Sequence, residues 1–217
     1  MPNLISLPIF IFILIYSIIL HEVAHGLVAD YLGDPTARLM KRLTLNPFPH
    51  IDPIGSILLP LLLIVTGSNF LFGWAKPVPF DPFNLKNPRR DSALISLAGP
   101  ATNLFIALVG SILMRLLIFI ELPVLSTIGM LILPVVIIIN ISLAVFNLLP
   151  IAPLDGFKIV GGILSEHRAK EWYELERYGF IFLMILLISP GLLNIIVGPV
   201  INFLRSLLLP GSYGGFI

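Results

Sequence analysis

The sequence predicts an all-α polytopic membrane protein, and three observations carry that prediction. Hydrophobic residues make up 57% of the 217 residues, and mean hydropathy is +1.02. Charged residues make up 12%, about half the roughly 25% of an ordinary soluble domain. The apolar residues fall into runs long enough to cross a bilayer, with Lys and Arg gathered between them. The prediction is a single membrane-embedded domain over 1–217. It has about four or five transmembrane helices, plus a re-entrant hairpin or an extra span at 54–73. A formal charge of +1 without basic clusters argues against nucleic-acid binding. The apolar composition excludes a disordered chain. The absence of cysteine excludes disulfides, thiolate zinc sites and a cysteine nucleophile.

The first run, Leu4 to Leu20, is uncharged and continues through His21-Glu22-Val23-Ala24-His25 to about Ala29. It lacks the basic start and small-residue cleavage site of a signal peptide, so a retained helix is expected. Residues 30–53 are polar and Pro-rich. Ile54 to Gly73 is apolar but broken by Pro60 and Thr66-Gly67-Ser68-Asn69. Residues 75–90 form a loop. Ser92 to Phe119 and Thr127 to Leu149 read as strong spans, joined by a short loop at 120–126. Gly162 to Tyr178 is charged and reads as an interfacial or aqueous helix. Phe180 to Val197 reads as a further span despite Pro190-Gly191, and Ile201 to Leu209 as a helix along the membrane surface.

Loop charge sets the topology. The 120–126 loop has no Lys or Arg, the loops at 75–90 and 157–177 have four each, and 30–53 has three. Positive charge stays inside, so the N-terminus is expected outside. Segment 54–73 then has cytoplasmic flanks on both sides. A hairpin turning near Thr66 to Asn69 satisfies that; a true span does not.

Two imidazoles at i and i+4 share one helix face and can reach one ion, so His21 and His25 are candidate metal ligands. Glu22 stands beside them, placed to act as general base on a water held at the metal. Ionisable groups at the end of an apolar helix are costly unless paired or metal-bound. A catalytic zinc needs a third protein ligand and an open position. His50 and His167 lie in polar segments and read as structural or solvated. Asp155 is better placed. It follows Pro150 and Pro153 just past the inner end of helix 127–149, at the depth that the loop charges assign to the two histidines. Its alternative is a turn former in a Pro-rich loop. Asn147, eight residues earlier, reads equally as an oxyanion donor or as an interhelical hydrogen-bonding residue. Asn140 and Asn103 read as helix-packing residues.

These motifs resemble those of the site-2 protease family, the intramembrane zinc metalloproteases. The resemblance is carried by His21-Glu22-Val-Ala-His25 and by Asn147-x-x-Pro150-x-x-Pro153-Leu-Asp155-Gly156. Gly73-Trp-Ala-Lys-Pro-Val-Pro79 and Leu97-Ala-Gly99-Pro100-Ala-Thr-Asn103 add weaker support. The resemblance implies one zinc held by His21, His25 and Asp155, with Glu22 activating water and Asn147 touching the oxyanion or the substrate. It also implies hydrolysis of peptide bonds in or near the transmembrane segments of membrane proteins or signal-peptide-like helices. The catalytic core would span about 5–160, followed by C-terminal helices over 162–209. The form is minimal: the 120–126 loop is too short for a PDZ domain, and the segment after 178 is too short for a CBS pair. The re-entrant β-structure of the family fits 54–73, where an edge strand would hold an unwound substrate. A prokaryotic plasma membrane is the expected location. A metal transporter and an inactive membrane scaffold are the rivals. The first gives no reason for Glu22, and the second none for the intact His, Glu and Asp set.

Overall fold

A computed structural model of the chain describes residues 6–58, 61–62, 65, 74–120 and 123–211. Every regular element among them is helical. Helix α1 is Ser6–Leu32, and α2 is a single turn at Thr36–Leu39. Helix α3 is Pro88–Ile120 and α4 is Pro123–Asn147. The short helices α5 (Asp155–Ile163), α6 (Glu166–Glu174) and α7 (Glu176–Ile188) follow, and α8 is Pro190–Leu208.

Four stretches of the described residues are long and apolar enough to cross a membrane: Leu7–Leu32, Pro88–Ile120, Thr127–Asn147 and Gly191–Leu208. They bear out the polytopic all-α expectation. Much of their apolar surface stays uncovered by protein, with Phe12, Phe105, Ile128 and Phe203 all exposed. A soluble chain avoids such patches, whereas lipid accepts them.

Helix α3 is central and packs against α1, α4 and α5. The chain enters it through Pro88 at the first helical position, with Asp91 accepting the Asn87 N–H at 2.8 Å. Ala107 and Met114 of α3 share one buried core with Ile137 and Ile141 of α4, Leu183 of α7 and Val197 of α8. Near the far end of α3, Ser111 and Arg115 donate to the last carbonyls of α8, Leu208 O at 2.5 Å and Leu207 O at 3.0 Å.

Three expectations need correction. The run Phe180 to Val197 is not one span. Pro190 cannot continue a helix but starts one well, so the chain breaks at Ser189. Helix α7 keeps 13 residues, about 20 Å and too short to cross. The fourth candidate span is therefore 191–208, and Ile201 to Leu208 belong to it rather than to a separate surface helix. The charged segment 162–178 is also not one helix. It is divided among α5, α6 and α7, with α6 anchored by Trp172 Nε1 donating to Phe157 O at 2.8 Å. Finally, an edge strand does not begin the 54–73 segment: Pro53–Leu58 is a π-helical turn. The proposed turn at Thr66 to Asn69 lies outside the described residues.

The C-terminal end of α1 is tied to the loop before α3. Gly33, at φ 111°, ends the helix in the left-handed region that an L side chain resists. Asp34 is fully buried and accepts from Thr36 Oγ1, Asp81 N at 2.7 Å and Asn84 Nδ2 at 2.8 Å. Burial pushes its carboxyl up, but these donors outweigh burial and hold it below the ordinary value. The stabilisation is therefore present above the unfolded pKa and is lost as pH falls through the folded one. Asp34→Ala is expected to cost about 1–3 kcal/mol at neutral pH. In detergent melting curves, the gap from wild type should narrow as pH is lowered from about 5 toward 3.

Candidate metal centre

Helix α1 presents His21 and His25 on the face turned to α3. The imidazoles stand edge to face, with ring centroids 4.6 Å apart. Their Nε2 atoms are 3.0 Å apart, and Asp155 Oδ2 lies 3.1 Å from the first and 3.3 Å from the second. Residues distant in sequence thus bring one ligand atom each to within 4.8 Å of one another.

The turn after α4 delivers Asp155. The helix ends at Asn147, and Pro150 and Pro153 prevent its resumption. The Ala152–Pro153 bond is cis. Asp155 opens α5. Gly156 is required here for closeness rather than for a special backbone angle. A Cβ there would stand 2.2 Å from Leu148 O and 2.4 Å from Leu149 O. Burial raises the Asp155 carboxyl, but bonding to His21 and His25 outweighs it and sets the pKa at about 2. The group is a carboxylate at neutral pH.

The second ring nitrogens define the chemistry. His25 Nδ1 lies 2.6 Å from Ile95 O, a carbonyl that only accepts, so Nδ1 carries the proton. His21 Nδ1 lies 2.6 Å from Asn103 Oδ1, which also accepts. With Nδ1 protonated, a neutral ring at either position turns its Nε2 lone pair inward, toward the other ring and toward the Asp155 carboxylate. A cation between the three atoms would satisfy all of them at once. Ligands about 2.0–2.1 Å from a tetrahedral ion lie about 3.4 Å apart, close to the separations observed. A gap in α3 supplies the room: a Cβ on Gly99 would sit 2.5 Å from the Nε2 atoms of both histidines. The residues fit a tetrahedral metal.

Glu22, between the two histidines in sequence, reaches the loop before α3. Its Oε2 accepts the Val78 N–H at 2.7 Å. Val78 belongs to the stretch 74–80, in which every second N–H from 74 to 78 is bonded: Trp74 N on Gly55 O at 3.2 Å, Lys76 N on His50 O at 2.9 Å, and Val78 N on Glu22. Pro77 and Pro79 leave no N–H at their positions on the opposite edge. Buried Arg42 grips the same stretch through Lys76 O at 2.8 Å and Pro77 O at 3.2 Å; burial lowers its pKa, and attraction to Glu22 only partly offsets that.

The other histidines stand apart. His50 is buried and bonds Thr44 O at 2.9 Å through Nε2, a structural role; His167 is exposed beside Glu171. Asn147 is not drawn into the trio. Its Nδ2 donates to Leu143 O on its own helix at 2.9 Å. Asn103 and Asn140 do pack between helices as expected, but Asn103 also bonds a candidate ligand, which the sequence reading missed. No local signal marks that contact, because 82 positions separate the pair.

Residues 124–189 match the model of peptidase family M50. YwhC of Bacillus subtilis, provisionally named a zinc metalloprotease, is 36% identical over 206 residues, covering 94% of this chain and 90% of the relative. Rip2 of Mycobacterium tuberculosis, named in the same way, is 31% identical over 176 residues, covering 81% of this chain and 65% of the relative. Rip2 of Mycolicibacterium smegmatis is 30% identical over 180 residues. No solved structure matches the chain.

Gly99→Ala places a methyl group against the Nε2 atoms of both histidines. Its zinc affinity, measured by chelator competition in detergent, is expected to fall by at least about ten-fold. Gly110→Ala, on the same helix, is expected to keep wild-type affinity, since its nearest neighbour would be Ile137 Cγ1 at 3.1 Å.

Proposed function

The chain belongs to peptidase family M50, the site-2 proteases, and from that premise we propose that His21, His25 and Asp155 hold its catalytic zinc, one ion per chain, while Glu22 is the general base. The protein is an integral membrane zinc metalloprotease. The observation that carries the residue assignment is the convergence of two imidazole lone pairs and a carboxylate on one point, with Glu22 on the adjoining helical position.

Zinc bound there supplies a Lewis acid that polarises a carbonyl and acidifies a water. Glu22 takes the proton of the attacking water and passes it to the leaving amide nitrogen. The Val78 N–H holds one carboxylate oxygen and fixes the plane in which the other can receive that proton. Asn147 gives one amide hydrogen to Leu143 O and keeps a second, which we assign to the developing oxyanion or to the substrate backbone. The substrates are membrane-protein or signal-peptide-like helices. A helix hides its carbonyls in internal bonds, so the cleaved segment must unwind before it reaches the site.

The membrane orientation follows from charge. The inner ends of α1 and α4 and the start of α3 meet near the site. Of the 13 Lys and Arg residues, all but Arg115 and Arg205 lie in the segments joined to those ends. Positive charge favours the cytoplasm. The proposed arrangement is a site toward the cytoplasmic side of a prokaryotic plasma membrane, with the N-terminus outside.

Three experiments test this. Wild type is expected to bind about one zinc per chain, and His21→Ala and Asp155→Ala to lose it or bind it far more weakly. Glu22→Gln should keep the metal yet lose about 10²–10⁴-fold in cleavage of a single-span substrate. Tight zinc in Asp155→Ala would remove that ligand. Because the chain has no cysteine, single-cysteine labelling has no background. Lys170→Cys is expected to resist a membrane-impermeant maleimide in intact cells, and Ser126→Cys to react; the reverse pattern would invert the topology.

A further inference from the structure

We infer that Asn103, locked by Asn140 and Ser17, is a positioning residue that sets the tautomer and ring orientation of His21. The inference rests on the proposed role of His21 as a metal ligand.

Asn103 Oδ1 stands 2.6 Å from His21 Nδ1. In this orientation the ring proton lies on Nδ1 and the Nε2 lone pair faces the trio. A flipped Asn103 would present its NH₂ group instead and favour the other tautomer, with an N–H where the ligand lone pair must be. The far side of the amide prevents that flip. Asn103 Nδ2 donates to Asn140 Oδ1 at 2.8 Å and to Ser17 O at 3.4 Å. Asn140 is held in turn, its Nδ2 donating to Val136 O at 2.9 Å and to Ser17 Oγ at 2.9 Å. Every bond direction in this relay traces to two backbone carbonyls, Val136 O and Ser17 O, which cannot donate.

Burial makes the relay strict. Asn103 and Asn140 are 0% exposed and Ser17 is 4% exposed, so bulk water cannot replace a lost partner. The two histidines are set by different devices. His25 is held by the Ile95 carbonyl, a backbone group that no substitution removes. His21 is held by side chains alone, contributed by α3, with α1 and α4 behind them. Second partners of this kind orient a ligand and raise its basicity.

The test is zinc affinity of the full chain in detergent by chelator competition, with the cobalt(II) absorption spectrum as a second signature. Asn103→Leu is expected to weaken zinc about 10–100-fold and to alter the cobalt bands. In Asn103→Asp one oxygen accepts from His21 Nδ1 as Oδ1 does, and the other, carrying a proton, donates to Asn140 Oδ1 as the amide does, so this variant should bind zinc at least about ten-fold tighter than Asn103→Leu and recover the wild-type bands. A packing role alone gives the opposite order, because Leu fills the volume and Asp buries a polar group. Equal affinities, or Leu above Asp, overturn the inference. If the Asn103 variants fail to fold, Asn140→Leu decides. It leaves Asn103 in place but unlocked, and unchanged zinc affinity there also overturns the inference. A wild type that binds no zinc, or a His25→Ala variant that binds it normally, would instead sink the metal reading itself.

Discussion

Two imidazole lone pairs and a carboxylate oxygen, gathered within 4.8 Å at the edge of an apolar helix bundle, cannot be stable without positive charge between them. The rest of the structure is arranged around that constraint. The i, i+4 spacing on α1 gives the two imidazoles one face. The proline-rich turn after α4 brings the carboxylate from more than a hundred residues away. Two glycines make the approach possible for opposite reasons. Gly99 leaves room beside the Nε2 atoms of both histidines, whereas Gly156 lets α5 settle against the carbonyls of the last turn before it. Neither glycine needs an unusual backbone angle; what each supplies is the absence of a side chain.

The proposed general base belongs to a different environment from the proposed ligands, although Glu22 is the neighbour of His21 in sequence. One helical residue is a rotation of about 100°, which turns the Glu22 side chain from α3 toward the extended stretch at 74–80. That stretch is fixed at both ends of its hydrogen-bonding edge, by Gly55 O and His50 O on one side and by Arg42 on its carbonyls. The base is therefore oriented by the loop region before α3, and the ligands by the helix bundle. A change in the loop can reach the proton-transfer step without moving the metal.

Much of this was legible in the sequence, and the failures have physical reasons. Hydropathy runs gave the long helices because lipid imposes length and composition directly. His21, Glu22 and His25 were legible because their relation is local. Asp155 was reached by reasoning about depth, since loop charge placed it level with the histidines. The break at Ser189 was hidden because an apolar run looks continuous to hydropathy, while the missing N–H and fixed ring of Pro190 decide where the helix restarts. The opening of the 54–73 segment was read for its flanking charge, which says nothing about whether the backbone is strand or π-helix. Asn103 was read as packing because a buried amide between helices has the same sequence appearance whether its partner is another amide or a metal ligand.

The double character of Asn103 follows from the solvent. Between helices in lipid there is little hydrophobic driving force, since the tails are as apolar as the side chains. Polar contacts and close packing must fix how the spans sit against one another. Ser17, Asn103 and Asn140 do this for α1, α3 and α4, and their bonds have one direction because backbone carbonyls anchor them. An apolar contact at the same place would hold the helices together equally well, but it would carry no hydrogen-bond polarity and would leave the His21 proton undetermined. A directed network serves both needs with one set of groups. The register of the three spans and the state of the ligand are then set by the same bonds, so a bundle assembled in the wrong register would also present the wrong ligand.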